Sequence, residues 1–225
     1  MPNVDLERLL SEPIYAFDFQ SMIGDVADFL DFSESNIEWQ YRRELQRIRR
    51  RAEAEELPPG YREHLETNAE HRFKISLPLR IRYGVVIALA TSVEWSIGFV
   101  VSRLRELLPE KPRGRNLTVH ALFELQRRTG VGRTDSVHDY ESLVWIRNCI
   151  AHSAGIEEHY NYKFRGELAA AVGRLNGFTL DNWHFFRKHI CIERGALNPY
   201  IEGMRDLVVA LHKAAHEQGL LRDET

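Results

Sequence analysis

The run from Tyr83 to Val101 is almost continuously apolar, and a chain that carries it has few ways to fold. It is nearly long enough to cross a bilayer. Glu94 sits inside it, with Thr91, Ser92 and Ser96 close by. A lone carboxylate at mid-bilayer costs roughly 2.5–3.5 kcal/mol on insertion scales. The run therefore predicts the central buried helix of a water-soluble bundle, from about Leu79 to Leu108, and no membrane partner. Because it is apolar nearly all round, it is expected at the centre of that bundle.

Enough apolar material accompanies this helix to surround it. Hydrophobic residues make up 44% of the 225, a globular composition that suits one domain. We expect a lead-in over residues 1–16, a single domain over 17–218 and a tail over 219–225. The formal net charge is −3, so nucleic acid would need a local basic patch rather than a whole-protein field. Cys149 and Cys191 show no paired metal-ligand spacing, which points to a reducing cytoplasm. The first residues lack a basic region followed by an apolar one, so no signal peptide is expected.

Helical spacing recurs along most of the chain. Phe17, Met22, Ile23, Val26, Phe29 and Leu30 form one stripe. Ser35 or Asn36 is placed to cap a following helix through Trp39, Leu45 and Ile48. That helix carries Arg42, Arg43, Arg47, Arg49, Arg50 and Arg51, then Glu53, Glu55 and Glu56. Such a run reads either as a phosphate-binding face or as a solvated surface laced with ion pairs, and the acidic block that follows favours the second. Pro58-Pro59-Gly60 breaks it, and a short polar helix over 61–73 follows. Further short helices are expected over 119–128 and 166–175. Phe178-Thr179-Leu180 and Ile190-Cys191-Ile192 suggest a small hairpin. Asn198 as N-cap and Pro199 in the first turn open a last amphipathic helix through Ile201, Met204, Leu207, Val208, Leu211 and Ala215. The fold class expected is an all-α bundle with a small β-hairpin before its last helix.

The chemistry concentrates in the helix over 136–153, with Ser136 and Asp139 as a capping box and Gly155 as its stop. On a wheel of about 100° per residue, Tyr140, Leu143, Val144, Ile146, Ile150 and Ala151 share the core arc. Arg147 lies near the centre of that arc, where a charge must be paired or must reach a cleft. Glu94 is the obvious partner. Glu141, Trp145, Asn148 and His152 form a second stripe, suited to packing against another copy of the chain. Arginine holds phosphate, asparagine positions an oxygen, and histidine moves protons near neutral pH. Arg147 and His152 are about 140° apart on an ideal helix, so a single site needs an unwound helix end or two protomers.

The run Ile146-Arg147-Asn148-Cys149-Ile150-Ala151-His152-Ser153-Ala154-Gly155 resembles the signature of the HEPN superfamily: an arginine, a polar neighbour, and a histidine near the helix end. The layout is similar too, with a long N-terminal helix, an apolar central helix containing a glutamate, the motif helix, a β excursion and a closing amphipathic helix. The resemblance implies a metal-independent endoribonuclease working at a homodimer cleft, with no cofactor. It implies RNA as substrate and, in toxin–antitoxin or other defence settings, a cognate antitoxin protein as partner. By position, Arg147, Asn148 and His152 are the family's catalytic residues, with Glu94 and Glu141 in support and Trp145 on the dimer face. Members silenced by nucleotidylation carry a tyrosine two residues after the histidine. Here that residue is Ala154, so that control is not implied. Other members have lost catalysis and serve as RNA- or protein-binding modules, the alternative function.

Outside the motif the signals are weaker. Arg113 and Arg115, in a loop after the apolar helix, are possible RNA contacts. His212 and His216 are one turn apart but lack a third metal ligand. His184 and His189 suit packing or surface roles, Gly130-Val131-Gly132 is a turn rather than a phosphate loop, and Trp39 and Trp183 are expected in the core.

Overall fold

Helix α1 runs unbroken from Ile14 to Ala54 in the computed structural model, through the Ser35-Asn36 pair that was expected to start a new helix. The Asn36 side-chain amide donates to the Phe32 carbonyl one turn back, at 2.7 Å. A residue suited to capping has bonded within the existing helix instead. The structure describes residues 14–131, 134–182 and 187–222. Residues 14–16, assigned by sequence to the lead-in, are helical. Residues 1–13, Gly132, Trp183, His184 and the last three tail residues lie outside the described residues.

The break at Pro58 occurs as expected. Helix α2 (Pro59–His71) begins with proline in its first turn, where the missing N–H is no loss. It does not stop before the apolar helix. A π-helical turn over Arg72–Ser76 carries it into α3 (Leu77–Ser102). Helix α3 ends earlier than Leu108 because backbone partners from the far end of the chain compete for it. Leu104 bridges to Leu221, the Arg105 N–H donates to Leu220 at 2.9 Å, and the Arg222 N–H donates to Arg103 at 2.8 Å.

Helix α4 (Leu117–Thr129) is capped by the Asn116 side chain, which accepts from the Thr118 and Val119 N–H groups, and ends at Gly130 with φ 69°. Helices α5 (Thr134–Ser153) and α6 (Arg165–Arg174) follow. Strands β1 (Phe178–Asn182) and β2 (Lys188–Ile192) pair antiparallel, with Phe178 opposite Ile192. Helix α7 (Asn198–Glu217) closes the fold. Two capping expectations fail. Ser136 is inside α5, with Asp139 engaged by Arg174 at 2.9 Å, and Asn198 is already helical, without a side-chain cap. The described residues are mostly helical, with one two-stranded sheet.

The chain divides into two compact units, one of residues up to Val26 with Val86 onward, the other Ala27–Val85. In the first, Tyr140, Leu143 and Ile146 of α5, Leu122 and Leu125 of α4, and the α7 stripe Ile201, Met204, Leu207, Val208, Leu211 and Ala215 are all buried. In the second, Ile48, Ala69 and Phe73 form a core flanked by Tyr41, Leu45 and Leu65. Trp39, expected in the core, is instead 55% exposed.

Helix α3 is not buried all round. Val86, Leu89, Ala90, Val93, Ile97 and Val100 face the interior, while Thr91, Trp95, Gly98 and Ser102 are exposed. Among the described residues one helical stretch, Pro59–Ser102, has the length and apolarity of a membrane span, and half of its most apolar window is buried inside the protein.

Candidate active site

Helix α5 presents its functional groups at its C-terminal end because its middle is locked into the core. Tyr140, Leu143, Ile146 and Cys149 are fully buried, and the Tyr140 hydroxyl donates to the Ala90 carbonyl of α3 at 3.3 Å. Burial, reinforced by the nearby Glu94 carboxylate, pushes the Tyr140 phenol well above its ordinary range. Cys149 stands where the wheel had no core residue, while Ala151, assigned to the core arc, is exposed. Burial, then Glu157, pushes the Cys149 thiol up to about 12.

Arg147 pairs with Glu94, and the pair stays open to solvent. Its Nη2 donates to Glu94 Oε2 at 2.6 Å, with the two side chains 23% and 37% exposed. Its Nη1 donates to Asn148 Oδ1 at 3.1 Å. Its Nε is buried without an acceptor. The guanidinium is therefore held on two sides by Glu94 and Asn148, and its planar fork is oriented before any ligand arrives. Asn148 is engaged with its neighbour rather than turned toward the histidine.

His152 lies one turn further on and is exposed. Among the described residues, no hydrogen bond or ion pair joins it to Arg147 or Asn148. Just beyond it the helix ends in an unusual way. Ala154, not Gly155, is the first left-handed residue, at φ 51°, and Gly155 follows at φ 78°. The Gly155 N–H reaches back six residues to the Cys149 carbonyl at 3.3 Å, a wider closure than an ordinary helix turn. The Gly155 carbonyl accepts from Ile190 of β2 at 2.9 Å, and Ile156 bridges to His189. The hairpin so pins the helix end that carries His152.

Members of the second stripe also have partners within the chain. Glu141 faces His138, its Oε2 3.4 Å from Nδ1. Trp145 is half-covered by its own chain, its ring 5.5 Å from that of Phe164. In the loop after α3, Arg115 lies over the Phe123 ring at 4.8 Å, and Arg113 is exposed. His212 is buried in α7 with its ring 5.6 Å from Phe19, and burial lowers its pKa.

One group of residues escaped the sequence reading. Arg187 contacts His159, and the Glu158 carboxylate accepts the Lys188 N–H at 3.0 Å, which holds its pKa below the usual range. His189 joins the same strand edge through its bridge to Ile156. No local pattern marks this cluster, because strand pairing brings together residues some thirty positions apart in sequence. An open cavity of about 420 Å³ lined by Ser136, Asp139, Glu193, Arg194 and Tyr200 contains none of the candidate residues. Among the described residues no group of three or more His, Cys, Asp or Glu is placed to hold a metal. No family model matches the chain, and neither the curated proteins nor the solved structures give a match.

Proposed function

We propose that this protein is a HEPN-type endoribonuclease that acts as a homodimer in the cytoplasm, in a toxin–antitoxin or defence role with a cognate antitoxin. The observation that carries the reading is the Glu94–Arg147–Asn148 hydrogen-bond chain at the open end of α5, with His152 exposed on the next turn. A guanidinium oriented by neighbours and left partly in solvent is suited to a phosphate. A structural ion pair alone does not require the accompanying asparagine or histidine.

The chemistry needs only groups of the chain. The 2′-oxygen of a ribose attacks the adjacent phosphorus, and the P–O5′ bond breaks to leave a 2′,3′-cyclic phosphate and a 5′-hydroxyl. One imidazole takes the 2′-hydroxyl proton and a second gives a proton to the departing 5′-oxygen, each step of a kind that contributes about 10²–10⁴-fold. Arg147 stabilises the charge that develops on the phosphoryl oxygens. Two copies of the chain supply the two imidazoles. The exposed Trp95, stacked on Phe99 with ring centroids 6.0 Å apart, lies next to Glu94 in α3 and is the apolar surface nearest in sequence to the site for such a partner.

The test is incubation of the purified protein with structurally diverse RNAs in excess EDTA, alongside His152→Ala. Cleavage by the wild type that the variant loses is the expected result. No cleavage, or equal cleavage by both, removes the proposal. RNA binding without cleavage by a dimer would favour the second reading, a catalytically inactive HEPN-like module.

A further inference from the structure

We infer that a groove in the Ala27–Val85 unit, between the C-terminal half of α1 and the π-helical turn after α2, binds the phosphate backbone of single-stranded RNA. The groove is open, about 700 Å³, and Arg43, Arg47, Arg50 and Arg72 line it together with Phe73. Arg43, Arg47 and Arg50 follow one another at i, i+4 and i+7, so α1 presents them on one face over about 10 Å of rise. Arg72 enters from the other side because the π-helical turn keeps the chain helical past His71.

The ion pairs of this unit mark the groove out. Arg42 is held by Glu38, Arg49 and Arg62 by Glu66, Arg51 by Glu55, and Lys74 by Glu70. Among the described residues, Arg47 alone in the groove has a carboxylate, from Glu44 at 2.7 Å, and Arg43, Arg50 and Arg72 have none. Arg43 instead lies over the exposed Trp39 ring at 5.3 Å, and Arg72 over Phe73 at 5.4 Å. Glu38, Glu55, Glu66 and Glu70 pair with cations outside the lining, and the lining itself sets four arginines against one carboxylate, Glu44. Guanidinium groups in a row, with an exposed indole beside them, match a strand that offers phosphates and unstacked bases together. The choice of RNA over other polyanions rests on the proposed ribonuclease reading.

The experiment measures anisotropy of a fluorescein-labelled oligouridylate with the full chain carrying His152→Ala, which prevents cutting. Arg43→Gln/Arg50→Gln/Arg72→Gln is compared with Arg42→Gln/Arg49→Gln/Arg51→Gln, which removes the same charge from ion-paired positions. Circular dichroism checks that both fold. The groove variant is expected to weaken binding by about tenfold or more and to lower the slope of log K against log salt by about 2, while the control changes little. Equal weakening in both variants, no weakening in either, or no RNA binding by the His152→Ala chain would overturn the inference. Cleavage is followed separately. RNA bound through the groove but cut by neither wild type nor variant leaves the inference standing and the ribonuclease reading fallen. Cutting and binding unaffected by the groove variant does the reverse.

Discussion

Arg147 and Glu94, 53 residues apart in sequence, meet at 2.6 Å between α5 and α3, with both side chains still partly in solvent. The contact does two things that can be measured apart. It joins two helices, and it aims the guanidinium. Arg147→Ala should cost about 1–2 kcal/mol, less than the 3–5 kcal/mol typical of a fully buried pair because solvent screens this one. Arg147→Lys should keep most of the stability and still lose cleavage by about tenfold or more, since an ammonium cannot hold Glu94, Asn148 and a phosphate in one plane. Thermal melts read the first effect and RNA cleavage the second. Full cleavage by Arg147→Lys would remove the orienting role.

His152 should behave in the opposite way. It is exposed and has no hydrogen-bond or ion-pair partner among the described residues, so His152→Ala should shift stability by no more than about 0.5 kcal/mol. A loss of activity in that variant can then be attributed to chemistry. A large drop in melting temperature would assign the residue a structural role instead.

Ala154 holds a left-handed conformation, φ 51°, that costs an alanine about 1–2 kcal/mol and a glycine little. Ala154→Gly gives back part of this through the greater freedom of glycine in the unfolded chain. A net gain of about 0.5–1 kcal/mol is expected from denaturant midpoints. Loss of stability would show that the methyl group makes a contact worth more than the strain.

Buried His212 is held below its ordinary pKa by desolvation, with His216 and Arg103 adding to the effect. A lowered imidazole pKa means the unfolded chain binds the proton more tightly. Stability is therefore complete above the unfolded value of about 6.5 and declines as pH falls below it. Melting temperatures between pH 7.5 and 5.5 should fall in the wild type and fall less in His212→Phe. The same slope in both would rule out His212 as its source.

Cys149, buried and pushed up to about 12, should react with a thiol reagent at pH 8 about a hundredfold more slowly than an ordinary cysteine, the loss of thiolate outweighing the greater nucleophilicity of what remains. In denaturant the difference should disappear. Rapid reaction in the folded protein would mean that the end of α5 opens.

The α7 stripe and the hairpin were legible in the sequence because each is a local period, of 3.6 or of 2, that burial enforces directly. The approximate end of α5, before Gly155, was legible for the same reason, although the left-handed turn begins one residue earlier, at Ala154. Glu94 could be named as a partner because a carboxylate inside an apolar run needs a cation. Local pattern was misleading where a second segment competed. Asn36 carries a capping signal, yet its amide found the Phe32 carbonyl and α1 continued. Leu104 had helical neighbours, yet pairing with Leu221 ended α3. The apolar run from Tyr83 to Val101 looked fit for the centre of a bundle, yet Trp95 and Thr91 face outward. Periodicity determined which residues could be helical and which face was apolar. Only tertiary structure decided how much of that face found a partner, which arginines kept a carboxylate, and that Arg147, Asn148 and Glu94 would meet, because those outcomes depend on groups distant in sequence competing for the same contacts.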